Sequence, residues 1–331
     1  MLVEFGSSSN VGRVREHNED AFEYLHFSRG DAGIVCDGMG GHAAGDVASN
    51  IARAAIAAAL VKDGYADPRE LIYRALEAAH DKVLSVASGS DARSGMGTTA
   101  VVALIRGDCL FVGHVGDSRA YLVRDGLSSQ LTRDQTRVQA MVDDGLLTEA
   151  AAKSHPDAGV LVQAIGQPRG LVPFVTPEAT GIPVRVGDVI VLCTDGVYDA
   201  LAQQEFATLT ACRTAERAAE TLVTVAVERD GQDNATAVVA VLRNDTGGRA
   251  EMPTVEDFGP LMPGVGWTAG AVATSGPRLN PVWWLLGAFL AAVAVAAAFL
   301  AGRATGSRAV EPAASALPKP SPSALRPKAT P

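Results

Sequence analysis

Basic residues are in short supply. The 331-residue chain has 28 Lys and Arg against 37 Asp and Glu, giving a formal net charge of −9. A protein that neutralises a phosphate backbone needs a basic stripe, so nucleic acid is excluded as a partner. Cysteine is scarce too: Cys36, Cys109, Cys193 and Cys212 stand far apart with no C-x-x-C pair. No His/Cys set has zinc-site spacing, and no disulfide framework suggests itself. The expectation is small buried hydrophobes in a reducing compartment. The opening "MLVEFGSSSNVG" lacks a basic n-region and a long apolar h-region, so the N-terminal part is expected to start and stay in the cytoplasm.

What the sequence does have is valine-rich runs bounded by Gly and Asp. "AGIVC" (32–36), "TTAVVALI" (98–105), "CLFVGHVG" (109–116), "AYLV" (120–123), "VIVLC" (189–193) and "ATAVVAVL" (235–242) read as strands. Several are apolar at consecutive positions, which predicts burial on both faces. "RDG" at 124–126 and "RVGD" at 185–188 read as turns. Helical spacing of apolar residues marks 44–61, 69–87 and 214–228. Short turns between strands imply antiparallel pairing, with the helices covering outer sheet faces. Hydrophobic residues make up 47% of the chain, enough for one large core over residues 1–243.

Apolar runs repeatedly meet a carboxylate: Asp37 after "AGIVC", Asp117 after "FVGHVG", Asp195 after "VIVLCT", and Asp233 just before "NATAVVAVL". One such residue is usually a turn former. Neighbouring strands that brought these tips together would crowd like charges, which stay ionised only with a cation between them. Oxygen ligands favour Mg²⁺ or Mn²⁺ over zinc. Gly38, lacking Cβ, would let its carbonyl approach an ion beside Asp37. Two ions sharing a carboxylate would generate a bridging hydroxide suited to attack on phosphate. Arg15, in "GRVREHNED", is the candidate clamp for the phosphate oxygens. A two-metal nuclease would use the same carboxylates but not the acidic net charge.

The ordered segments "VGRVREHNEDAF", "VCDGMGGHAAGDVAS", "GMGTTAVVAL", "VGHVGDSRAYLV", "LTRDQT", "LCTDGVYDAL" and "GQDNATAVV" resemble the bacterial branch of the type 2C, or PPM, metal-dependent protein phosphatases. The resemblance runs from residue 5 to about 243. It implies an α+β fold, an α–β–β–α sandwich of two mainly antiparallel sheets flanked by helices. It implies hydrolysis of phosphoserine and phosphothreonine in proteins with two Mn²⁺ or Mg²⁺ ions, and a third in bacterial members. Residue by residue, Asp37 resembles the metal-bridging carboxylate, the Gly38 carbonyl a ligand of the second metal, and Asp195 and Asp233 ligands of the first. Asp117 resembles the aspartate that, with Asp195, holds the third. Arg15 matches the phosphate-binding arginine, and Glu19 a carboxylate that contacts metal-bound water. Residues 136–170 occupy the position of a mobile flap, where a carbonyl near Gly159 would approach the third metal. Animal members carry His after the D-G pair as a proposed general acid; here Met39 takes that place, and His42 follows as a capping residue. Asp20 is expected to be a structural acceptor, Asp46 an early-helix acid, Asp188 a turn residue and Asp199 a helix start. His17, His114 and His155 are expected to be structural.

From 244 the character changes. Residues 244–278 read as a Gly/Pro/Thr-rich linker. Residues 279–302 are uncharged, with Trp283 and Trp284 at one end, and about 20 apolar residues suffice to cross a bilayer. Residues 303–331 are a Pro/Ala-rich tail expected to be disordered. The positive-inside rule, reading Arg303, Arg308 and Lys319 against Arg278, would put the tail in the cytoplasm. A large N-terminal domain without a signal argues the reverse. The expectation is a single-pass protein of the inner membrane with its catalytic domain cytoplasmic, opposing Ser/Thr protein kinases. Two alternatives stand beside it: a phosphatase of a regulatory switch protein, and a catalytically inactive binding module of this fold. The complete carboxylate set disfavours the second.

Overall fold

The computed structural model describes residues 1–40, 44–62, 67–89, 95–168, 170–212 and 214–244. His42, the span expected at 279–302 and the tail at 303–331 lie outside the described residues, as does all of the 244–278 linker but its first residue. In chain order the elements are β1 (Leu2–Asn10), β2 (Asp20–Phe27), β3 (Gly30–Met39), α1 (Ala44–Lys62), α2 (Pro68–Ala87), β4 (Gly97–Thr98), β5 (Ala100–Arg106), β6 (Cys109–Val115), β7 (Arg119–Arg124) and β8 (Leu127–Gln130). They continue with α3 (Arg137–Asp143), α4 (Glu149–Ala152), β9 (Phe174–Val175), β10 (Ile182–Pro183), β11 (Val189–Cys193), α5 (Asp195–Tyr198), α6 (Glu205–Leu209), α7 (Ala215–Arg229) and β12 (Ala235–Arg243).

Two antiparallel sheets form, in the orders β1-β12-β11-β7-β8 and β10-β6-β5-β3-β2, with β4 on β3 and β9 on β6. The consecutive apolar runs are explained by what lies on each face. Val35, Val101, Ala103 and Val112 meet Leu122, Ile190, Leu192 and Val238 between the sheets. Their alternates Ile34, Cys36, Val102, Leu104 and Phe111 turn outward onto α1 and α2. On the other side Tyr121, Val191, Cys193 and Val239 turn onto Ala218, Leu222 and Ala226 of α7. A strand buried on both faces has no polar position to spare, hence the unbroken valine runs. α1 is long and apolar enough to cross a membrane by length and composition. Here Ala48, Ala52, Ile56 and Leu60 fill the layer between sheet and helices instead.

Helix starts follow local chemistry. The Asp67 carboxylate accepts from the Arg69 N–H, with Pro68 opening α2, and the Thr214 hydroxyl accepts from the Arg217 N–H at α7. Two small expectations are corrected. Asp199 does not start a helix: it closes α5, its N–H donating to the Asp195 carbonyl at 2.9 Å. Asp188 is more than a turn residue. It is 1% exposed, accepts two hydrogen bonds from Arg124 at 2.8 and 2.6 Å and one from the Arg185 N–H, and these contacts hold its pKa below the usual value against the cost of burial.

Candidate active site

Strand register gathers the acidic tips. Asp37 near the end of β3 stands opposite Asp20 at the start of β2. Val35 pairs with Val101 at the start of β5, and Ala100 pairs with Val115 at the end of β6, two residues before Asp117. In the other sheet Cys193, at the end of β11, pairs with Ala237, so Asp195 and Asp233 flank the same edge. The Thr194 hydroxyl donates to Asp20 at 3.0 Å and accepts the Thr236 N–H at 3.1 Å, joining the two sheets at this end.

The carboxylates share one electrostatic environment. Burial, followed by the charges of Asp195, Asp20, Asp117 and Asp233, raises the pKa of Asp37 well above its usual value. Burial and Asp195 push Asp117 up to about 7. Burial, Asp233 and Asp199 push Asp195 up to about 6, partly offset by a hydrogen bond with Asp37. Burial also raises Asp20 to about 7, against the hydroxyls of Thr236 and Thr194 that bond to it. These are the marks of crowded like charges in a partly desolvated place.

Backbone contacts fix the arrangement. The Asp37 N–H donates to the Thr99 hydroxyl at 3.0 Å, which pairs with Ser118 at 2.7 Å, and the Asp37 carbonyl accepts the Thr99 N–H at 2.8 Å. The Gly38 N–H donates to the Glu19 carbonyl at 3.1 Å. Packing alone demands glycine at 38: a Cβ there would lie 2.2 Å from the Gly45 oxygen and 2.6 Å from the Glu19 oxygen. Asn234, not singled out in the sequence, organises the segment that carries Arg15. Its side-chain oxygen accepts the Glu19 N–H at 2.8 Å and its amide donates to the carbonyls of Val11 and His17. Its only sequence signal is its place beside Asp233.

Arg15 is engaged with the cluster itself: its guanidinium donates to Asp233 at 2.6 Å, with about half of its side chain exposed. Arg119, also unmarked in the sequence, makes a bidentate pair with Asp134 at 3.0 and 2.6 Å. It lies 3.6 Å over the ring of Tyr198, in the α5 turn that Asp195 opens. Of the predicted structural histidines, His114 is fully buried against Phe174, and burial lowers its pKa to about 4.

Among the described residues, no group of three or more His, Cys, Asp and Glu side chains is drawn closely enough together to enclose an ion. The donor chemistry nonetheless fits a hard divalent cation. The donors are all oxygens, the buried Asp195 Oδ1 has no hydrogen-bond partner, and Asp233 already attracts a cation in Arg15. Met39, two residues beyond Asp37, lines a cavity of about 140 Å³ together with Gly159, Leu161, Val162, Gln163, Ala164 and Gln167 of the segment expected to form the flap.

Comparison with known proteins agrees on one family. A profile described as "Protein phosphatase 2C" matches residues 9–139. The serine/threonine protein phosphatase PstP of Mycobacterium tuberculosis (strain ATCC 25618 / H37Rv) is 33% identical over 240 residues, 72% of this chain and 45% of that protein. This chain therefore matches less than half of the PstP length. The serine/threonine phosphatase stp of Listeria innocua is 31% identical over 246 residues, 70% of this chain and 93% of the relative. Among solved structures, the S. agalactiae serine/threonine phosphatase superposes with a TM-score of 0.68 at 30% identity, over 73% of this chain and all of that one. The catalytic domain of PstP in complex with two manganese ions superposes at 0.63, with 30% identity, over 73% of this chain and 99% of that one.

Proposed function

The chain belongs to the protein phosphatase 2C (PPM) family, and from that premise we infer that it hydrolyses phosphoserine and phosphothreonine in proteins with Mn²⁺ or Mg²⁺. The observation that carries the reading is the convergence of Asp37, Asp117, Asp195 and Asp233, drawn from four separate segments, onto one end of the sandwich beside Arg15. Asp37 would be shared between two ions, with Asp195, Asp233 and the Gly38 carbonyl completing their protein ligands and Asp117 serving a third. When bound, such ions neutralise the carboxylates, polarise phosphate oxygens and make water nucleophilic at neutral pH. The chain's own work is positional. Thr99 and Ser118 hold the Asp37 backbone, Asn234 holds the Arg15 segment, and Arg15, half exposed at the edge of the cluster, would bind and orient the phosphate. Met39 has no proton to give, so the side chain in that place does not serve as general acid.

The test is hydrolysis of a phosphothreonine peptide, expected only with added Mn²⁺ or Mg²⁺ and lost on chelation, because an all-oxygen set yields these ions to EDTA. Full activity after exhaustive chelation would sink the reading. In the same assay Arg15→Ala is expected to lower kcat/KM roughly tenfold or more with Mn²⁺ affinity little changed. Lys should rescue only in part, since it lacks the two-pronged fork. Weakened Mn²⁺ binding with unchanged peptide kinetics would make Arg15 a structural partner of Asp233.

The domain plan is part of the proposal: a catalytic domain over 1–243, a linker over 244–278, a membrane span over 279–302 and a tail over 303–331. The uncharged run and its Trp283–Trp284 anchor support the span. Tethering would raise the enzyme's effective concentration near phosphorylated membrane proteins, the Ser/Thr kinases it opposes among them. The full chain should then resist carbonate extraction from membranes, and an alkaline phosphatase fusion after Pro331 should be active. Recovery of the full chain in the soluble fraction would remove the span.

A further inference from the structure

Gln135 uses every polar group it has, and it divides them between two places. Its N–H donates to the Gly116 carbonyl at 3.0 Å, and its side-chain oxygen accepts the Gly116 N–H at 2.9 Å. Its side-chain amide donates to the Val172 carbonyl at 3.1 Å, and its own carbonyl accepts the Val162 N–H at 2.8 Å. Gly116 directly precedes Asp117 and sits at φ 92°, a left-handed turn whose Cβ would also strike the Thr99 side chain at 2.7 Å. Val162 and Val172 belong to the stretch by which the chain returns from the flap. Val162 also walls the cavity beside Met39, and Val172 is tied back through its N–H to the side-chain oxygen of Gln163 at 3.1 Å.

The far side of the Gly116 turn is equally connected. Ser118 pairs with Thr99, and Thr99 receives the Asp37 N–H. Hydrogen bonds therefore run from Val162 and Val172 through Gln135 to the Gly116 turn, the backbone carries the path across Asp117 to Ser118, and hydrogen bonds resume from Ser118 through Thr99 to Asp37. Each link is short and directional, so displacing the flap stem must either stretch these bonds or carry the turn with it.

We propose that Gln135 is a positioning residue that couples the flap to Asp117, so that what the flap touches sets how firmly the Asp117 carboxylate is aimed. The proposal rests on the phosphatase reading for its purpose but not for its test. Gln135→Met preserves length and both backbone bonds while removing the two amide bonds. In the full chain, in detergent micelles, it should weaken calorimetric Mn²⁺ affinity at the weakest site by about three- to tenfold, the usual worth of one or two hydrogen bonds. In an Asp117→Asn background the same substitution should change Mn²⁺ affinity less than about twofold, because interacting residues are non-additive where independent ones add. Limited trypsin cleavage after the exposed Lys153, inside the flap, should accelerate about threefold or more, because loosened segments open more often.

An equal loss in both backgrounds, or unchanged cleavage at Lys153, would overturn the coupling and leave Gln135 as a local turn fastener. If circular dichroism shows Gln135→Met to be misfolded, Gln135→Asn replaces it. One methylene shorter, it cannot reach both Gly116 and Val172, and the same two outcomes decide. If wild type hydrolyses no phosphopeptide at any metal concentration, the functional reading fails, while the binding cycle and the cleavage rates still judge the coupling.

Discussion

Asp37→Asn is expected to abolish phosphopeptide turnover, by on the order of 10³-fold or more, while leaving the fold intact and the metal-free protein more stable at pH 8. The two halves of that expectation have one cause. Burial and mutual repulsion raise Asp37 well above its usual pKa and carry Asp20 and Asp117 to about 7 and Asp195 to about 6. An unfolded aspartate titrates near 3.9. Between about pH 4 and 7 the folded chain therefore holds protons that the unfolded chain has released. Stability without metal must fall as pH rises through that window, and the full penalty is present above it. Removing the Asp37 charge relieves part of the penalty, and each kcal/mol relieved raises Tm by about 2–4 °C for a domain of this size. Activity and thermal melts at pH 5 and pH 8, with and without Mn²⁺, provide the check. Near-normal turnover by Asp37→Asn in saturating Mn²⁺ would reject the bridging role, and a greater defect in Asp117→Asn would reverse the ranking of the two carboxylates.

The same crowding explains why the site was legible before the fold was known. A carboxylate at a strand tip is ambiguous alone, but Asp37, Asp117, Asp195 and Asp233 each adjoin a valine run, and such runs are the ones buried on both faces. β3, β5, β6, β7, β11 and β12 could be read from those runs, and α1, α2 and α7 from their helical spacing. The strands that escaped notice are the ones without that signature. β1 carries "GSSSN" yet pairs with β12 along its whole length, from Leu2 opposite Arg243 to Asn10 opposite Ala235. Its partner, not its own propensity, makes it a strand. β2 pairs along its length with β3, and its "FEYLHF" alternates only loosely. The short β9 and β10 and the flap helices α3 and α4 are too brief for a period to show.

The supporting residues were hidden for a different reason. Asn234, Arg119 and Gln135 act on backbone or side chains distant in sequence, Asn234 by 217 positions at its contact with His17. A polar residue in a loop gives no hint of which distant group it satisfies. For Asn234 it is the pairing of β1 with β12, with Asn10 opposite Ala235, that brings its partners within reach. The carboxylates proposed to face metal were visible because their chemistry is unusual for a strand end; the residues that hold the backbone around them are ordinary polar side chains in ordinary loops.

Gly38→Ala should be as damaging as the loss of a carboxylate, although it removes no functional group. The new methyl would be placed 2.2 Å from the Gly45 oxygen, 2.5 Å from the Gly45 carbonyl carbon and 2.6 Å from the Glu19 oxygen, all of them backbone atoms. No rotamer change can relieve such contacts. Either the first turn of α1 lifts away from β3 or the β3 end moves and breaks the bond from the Gly38 N–H to Glu19. Overpacking of this kind costs about 1–3 kcal/mol and more where only backbone can yield. The displacement falls on the residue next to Asp37, and a misplacement of about 1 Å can cost on the order of 10²-fold in rate. The expected result is a lowered Tm together with a loss of phosphopeptide turnover that added Mn²⁺ does not restore. Serine should behave like alanine, because the obstacle is Cβ itself. Wild-type melting and turnover in Gly38→Ala would mean that the start of α1 and the end of β3 part readily, and that glycine is required here by neither packing nor carbonyl approach.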